Sequence, residues 1–188
     1  MGLEPAAVDP LLAARASPSA FDPAHEVSDA EVAALLEAAR WAPSAGNSQP
    51  WAFILARRGD AEHARLVPHL AASSARWATA ASLLVGNLSH RFVQDTEWDY
   101  SEFSLYDLGQ AVTHMTVQAQ AMGLAARQFR AFDQDALHEE FSVPAHWQLA
   151  TITAFGVPAP EADRASGVAS SGSRSRRAIE ELIWRGDT

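Results

Sequence analysis

Two stretches of the chain repeat apolar residues at helical spacing, and three others run them together in short blocks. The first helical stretch is SDAEVAALLEAARWAP, residues 28–43. Val32, Leu35, Leu36 and Ala39 share one face. Ser28 and Glu31 form a capping-box pattern, each side chain able to satisfy a free amide of the first turn. Pro43 stops the helix, because the residue before a proline is driven out of helical backbone. The second stretch is LYDLGQAVTHMTVQAQAMGL, residues 105–124. Leu108, Val112, Met115, Ala119 and Met122 make a stripe, and the opposite side is also rich in Ala, Val and Thr. That pattern predicts a largely buried central helix, with Asp107 as N-cap and Gly123 as C-cap.

The blocks WAFILARR (51–58), SLLVGNL (82–88) and QLATITAFGVP (148–158) predict three strands, the first closed by a Gly59–Asp60 turn. Shorter helices are expected over LLAARAS (11–17), over 61–81 with a break near Pro68, and over DQDALHEEF (133–141). The segment SHRFVQDTEWDYSEFS (89–104) has four aromatics and no period, and reads as an irregular segment or lid. EADRASGVASSGS (161–173) reads as a Ser/Gly-rich linker or arm. Strands alternating with helices suggest α/β or α+β architecture, with the long helices packed on a sheet. The expected organisation is one domain over residues 1–188, with a loose lead-in at 1–10 and a C-terminal arm at 160–188.

Composition narrows the partners. The chain has 188 residues, 48% hydrophobic and 20% charged, with a net charge of −9. So acidic a chain is not expected to bind nucleic acid or anionic membranes, both of which call for a broad basic surface. No cysteine occurs, so disulfides, thiolate metal sites and a cysteine nucleophile are excluded together; a cytoplasmic location is the expectation. The N-terminus lacks the basic region and apolar stretch of a signal peptide, and no apolar run reaches the ~18 residues a membrane span requires. All 14 basic side chains are arginine. A Gly-x-x-x-x-Gly-Lys phosphate loop is therefore impossible, and neither Gly-x-Ser-x-Gly nor Gly-x-Gly-x-x-Gly occurs. The seven histidines are scattered, and no metal site is expected.

Three segments carry the remaining chemistry. In RASPSAF (15–21), Arg15 offers a bidentate guanidinium fork and Ser17 a hydroxyl, a pairing suited to phosphate. In APSAGNSQPW (42–51), Pro43 leaves the next amides without helical partners, and small polar residues follow. RSRR (174–177) is a basic patch. Each segment, taken singly, also reads as an ordinary solvated loop, turn or patch.

Together they resemble the nitroreductase family of FMN-dependent oxidoreductases. AARWAPSAGNSQPWAF is similar to the family's helix–turn–strand signature. The 105–124 helix resembles its central helix, with Asp107-x-Gly109-x-Ala111 at the start and Ala119-x-x-x-Gly123-Leu124 at the end. FRAFD (129–133) and RSRRAIEELI (174–183) resemble its post-helix segment and its phosphate-binding tail. The resemblance implies an α+β fold, with a mostly antiparallel central sheet flanked by helices, assembled as an intertwined homodimer with FMN at the interface. It implies FMN as cofactor, NAD(P)H as co-substrate and a small acceptor such as a nitroaromatic or quinone.

The resemblance also assigns residues. Arg15, Ala16 and Ser17 with Arg174 and Arg176 match the phosphate site. Pro43, Ser44, Ala45 and Asn47 match the turn that reaches the partner's flavin. Phe129, Arg130 and Ala131 match the loop whose backbone amide faces flavin N5. Ser19 stands where many members carry a basic residue beside the flavin N1–O2 edge, which predicts a lower flavin potential unless another group compensates. Ser74 stands where many carry asparagine, and Ala131 where a glycine often lies beneath the ring. Phe92, Tyr100 and Phe103, with Trp98 and Tyr106, are the candidate substrate lid. Two other readings use the same site: a flavin dehydrogenase or oxidase that draws electrons from a specific metabolite, and a flavin-binding protein without turnover.

Overall fold

The structure is a computed structural model, and it describes residues 6–160 and 175–184. A short helix, α1 (Pro10–Ala14), is capped by the Asp9 carboxylate and leads the chain in. Helix α2 (Asp29–Arg40) starts at the predicted capping box: the Glu31 amide donates to Ser28 Oγ and the Ser28 amide to Glu31 Oε2. After a tight turn the chain enters β1 (Trp51–Arg57). Pro68 divides the next helical region as expected, into α3 (Ala61–Leu66) and α4 (Ala72–Ala78). Strand β2 (Leu83–His90) is buried along nearly its whole length. Then come α5 (Ser104–Ala121), β3 (Ala125–Phe129), α6 (Gln134–Glu140) and β4 (Trp147–Gly156).

The four strands form one antiparallel sheet in the order β1-β2-β4-β3. Helices α2 and α5 cover one face, where Leu35, Ala39, Leu108, Met115 and Phe155 are buried together. The other face packs Phe21, Leu66, Trp77, Leu137 and Ile152, drawn from the N-terminal loop, α3, α4, α6 and the sheet. The architecture is α+β, as the resemblance implies.

Four expectations change. Strand β3 falls in a segment not read as a strand: it has five residues, Arg127 and Gln128 interrupt its apolar pattern, and it pairs only with β4. Asp107 is not an N-cap, because α5 begins three residues earlier and its cap residue is Phe103. The central helix is not buried all round in a single copy of the chain: Leu105 and Tyr106 stand 44% and 69% exposed on its outer side. Tyr106 also belongs to α5 and not to the aromatic segment before it.

Candidate functional site

The turn after α2 runs in left-handed backbone that only special residues accept: Gly46, Asn47 and Gln49 have φ of 59°, 56° and 48°. Asn tolerates that region better than most residues, whereas Gln carries a cost there. The turn is held from inside and from outside. Ser44 Oγ accepts the Gln49 amide at 3.0 Å, and the Asn47 amide donates to the Ser44 carbonyl at 3.0 Å. The Ala45 amide donates to Asp107 Oδ2 at 3.0 Å, and Gln110 Nε2 reaches both Asp107 Oδ1 and the Pro43 carbonyl. The amides that follow Pro43 are thus not left open as a group, because the buried Asp107 carboxylate takes one of them. Its job is to tie this turn to α5.

A second locus forms around Trp77. Arg15 Nη1 donates to Ser17 Oγ at 3.3 Å. Phe21, just beyond Ser19, stacks on Trp77 with ring centroids 6.3 Å apart, and Phe129 meets the same indole edge-on at 5.1 Å. One turn of α4 before Trp77, the buried Ser74 hydroxyl lies 3.0 Å from the Ala71 carbonyl and 2.5 Å from the Ala131 carbonyl. Its single proton serves one of them at a time. The Ala71 amide also donates to the Ala131 carbonyl, at 3.1 Å. The N–H of Ala131 itself has no acceptor among the described residues. Ser74 therefore shapes the loop after β3, and that loop presents one open donor. The neighbouring Arg130 turns away: it is exposed, bonds Gln134 Oε1 and lies 5.1 Å over Phe132.

Arg127, which no motif singled out, joins this locus together. Its Nη1 donates to the Pro18 carbonyl at 3.0 Å, and its guanidinium carbon lies 4.0 Å from the centre of the Trp77 ring. Burial pushes the guanidinium below the usual arginine range. The signal that could have found it is the arginine itself, standing in a five-residue strand whose neighbours are mostly apolar.

Arg15 also borders an open cavity of about 540 Å³ whose walls include Leu12, Leu105, Val112, Gln128 and Thr151. Ala16 and Ser19 are half-buried. Arg176 is exposed and bonds the Ser175 carbonyl, and Arg174 lies outside the described residues.

The expected lid is an ordered hairpin. The Val93 amide donates to the Trp98 carbonyl, the Tyr100 amide to the Arg91 carbonyl, and Phe92 bridges Asp99. Tyr100 stacks on His90 at 3.9 Å, and Trp147 stacks on the same imidazole at 4.8 Å. Tyr100 thus anchors the hairpin to the sheet, whereas Trp98 and Phe103 remain exposed. Among the described residues, no side-chain hydrogen bond or ring contact joins this hairpin, or the Ser44–Asn47 turn, to the Trp77 locus.

The Nitroreductase family model matches residues 12–85. A solved oxidoreductase containing FMN has a TM-score of 0.84 to this chain at 26% identity, covering 99% of this chain and 95% of that one. Over residues 12–85 the chain matches the nitroreductase family, and its fold is similar to that of solved nitroreductase-family proteins. A Streptomyces coelicolor relative, named provisionally as an NADH dehydrogenase/NAD(P)H nitroreductase, is 29% identical over 158 residues, covering 73% of this chain and 78% of its own. A Desulfovibrio desulfuricans protein, provisionally named a nitroreductase and solved in complex with FMN, has a TM-score of 0.72 at 26% identity, covering 97% of this chain and 99% of that one. The nitroreductase fold thus extends well beyond the matched segment, through β2, α5, β3 and β4.

Proposed function

We propose that this chain is an FMN-dependent oxidoreductase that takes hydride from NADH or NADPH and reduces a small quinone or nitroaromatic acceptor. It works as a homodimer with FMN at the interface. The observation that supports the reading is the convergence of Ser74, the Ala131 loop and the Pro18 carbonyl, through Arg127, around the Trp77 aromatic cluster within a nitroreductase fold, with the Arg15–Ser17 pair just before Pro18 in the chain. These residues fit FMN by their chemistry. Arg15, Ser17 and Arg176 suit a phosphate that carries nearly two negative charges. The aromatic surface suits a flat ring, and the open Ala131 amide suits its polar centre.

When bound, FMN supplies the redox chemistry, accepting two electrons and a proton as hydride and passing two electrons on with protons from solvent. The chain's own residues bind and orient. Arg15 and Ser17 hold the phosphate end, Ala131 donates to the ring, and Pro43, Ser44, Ala45 and Asn47 reach across from the partner. The rigid turn tied to Asp107 favours such a reach, since a preorganised contact costs little entropy on binding. Support for the dimer comes from Leu12, Leu105 and Tyr106, which leave an apolar face open beside α5.

The test is the visible spectrum of the purified protein, followed by anaerobic mixing with NADH and NADPH. The expected result is a yellow protein with bound FMN that either nicotinamide bleaches. A colourless protein that takes up no added FMN would refute the reading. Bound flavin that neither nicotinamide reduces would replace it with the metabolite dehydrogenase.

A further inference from the structure

We propose that Arg127 supplies the cation that faces the electron-rich pyrimidine edge of FMN, the position at which Ser19 offers no charge. The inference rests on the flavin reading above and deepens it.

Arg127 is a half-buried guanidinium with no carboxylate within ion-pair distance among the described residues. Of its five N–H donors, one is committed, to the Pro18 carbonyl. The Trp77 ring and the Pro18 carbonyl offset part of the cost of a cation taken partly out of water with no counter-charge, and an anionic or electron-rich ligand would offset more. Its position is held from two sides. The Pro18 carbonyl lies beside Ser19 in the chain, and the Trp77 ring lies 4.0 Å beneath the guanidinium. Trp77 is one helical turn from Ser74, whose hydroxyl contacts the Ala131 carbonyl. Arg127 therefore stands among Ser19, Ser74 and the loop ending at Ala131, the three elements that meet the flavin ring in this reading.

Two other nearby arginines have different work. Arg130 is engaged with Gln134 and Phe132, and Arg15 pairs with Ser17. A fixed cation beside the ring favours the anionic reduced flavin over the neutral oxidised one. A cation at the phosphate favours both forms alike.

The experiment is a redox-dye titration of the holoprotein, with oxidised-FMN affinity from flavin fluorescence, in the parent, Arg127→Met, Arg127→Lys and Arg15→Ala. Arg127→Met should weaken reduced FMN about tenfold more than oxidised FMN. That lowers the potential by about 30 mV for a two-electron couple. Arg127→Lys should recover most of the loss, and Arg15→Ala should weaken both forms equally without moving the potential. An Arg127→Met holoprotein with the parent's potential overturns the proposal, as does equal weakening of both flavin forms. Should Arg127→Met not fold, Arg127→Gln removes the charge while keeping an amide donor for Pro18. A parent that binds no FMN defeats the flavin reading itself, a result distinct from any change between parent and variant.

Discussion

His63 and His90 each hold a ring nitrogen, Nε2, in the interior without a hydrogen-bond partner among the described residues. Burial lowers the pKa of His63, with Arg58 adding to the effect and Asp60 opposing it. Burial also lowers that of His90, helped by nearby His146 and opposed by the hydrogen bond the imidazole donates to the Phe92 backbone carbonyl. Both histidines therefore resist protonation in the folded chain, while the unfolded chain takes up those protons near the ordinary value of 6.5. Stability from these groups is complete above that pH and declines as pH falls below it. Urea midpoints should thus drop between pH 7.5 and 5.5. His63→Leu removes a buried nitrogen that nothing satisfies, so it should be near neutral at pH 7.5 and flatten the slope; an unchanged slope would show that His63 does not couple to folding. Glu31, Glu37 and Glu140, held low mainly by hydrogen bonds from Ser28, Arg40 and Arg65, act only at more acid pH, below the ordinary 4.5.

At the scale of elements, one carboxylate couples the 44–49 turn to the central helix. Asp107 is 2% exposed and takes the Ala45 amide on one oxygen and Gln110 on the other. Asp107→Ala should cost roughly 1.5–3 kcal/mol, the worth of a hydrogen bond to a charged group. Asp107→Asn, which still offers an oxygen to Ala45, should cost less. Chemical denaturation at pH 7 distinguishes the two, and FMN retention should fall in the same order. An alanine variant as stable as the parent would mean that the turn holds its shape by its own internal bonds. The hairpin over 91–100 is fastened differently, by the His90–Tyr100–Trp147 stack, so changes in the turn should not disturb it.

At the scale of the molecule, the open face beside α5 is the surface on which the proposed homodimer would form. A helix that carries apolar residues on both sides cannot bury them all against one sheet, and a second copy of the chain covers the remainder most economically. Sedimentation should give twice the chain mass. Leu105→Asp should shift the protein toward monomer and lower FMN retention with it. A Leu105→Asp protein that stays dimeric would remove α5 from the interface. Among the described residues no side-chain hydrogen bond or ring contact joins the locus around Trp77 to the turn around Asp107, which is the arrangement expected if each flavin is held from both sides of an interface.

Local chemistry is readable wherever it follows from neighbours in the chain. The Ser28–Glu31 capping box, the stripe on α5, the break at Pro68 and the Arg15–Ser17 pair all rest on contacts between residues a few positions apart, so periodicity and residue type were enough to find them. The family signature likewise lay in short runs in a fixed order. Long-range pairing decided the rest. Strand β3 became a strand because β4 offered a partner edge, not because AARQF has a strand pattern. Asp107 left the helix cap because the Ala45 amide, 62 positions earlier, needed an acceptor. Arg127 entered the candidate site because β3 carries it across to Pro18 and Trp77, and a cation 109 positions from its acceptor leaves no trace in local spacing. Sequence alone settled which segments form helices and which family signature they spell; the tertiary structure alone brought Pro18, Ser74, Arg127 and Ala131 to one aromatic corner, because only folding converts distance along the chain into contact.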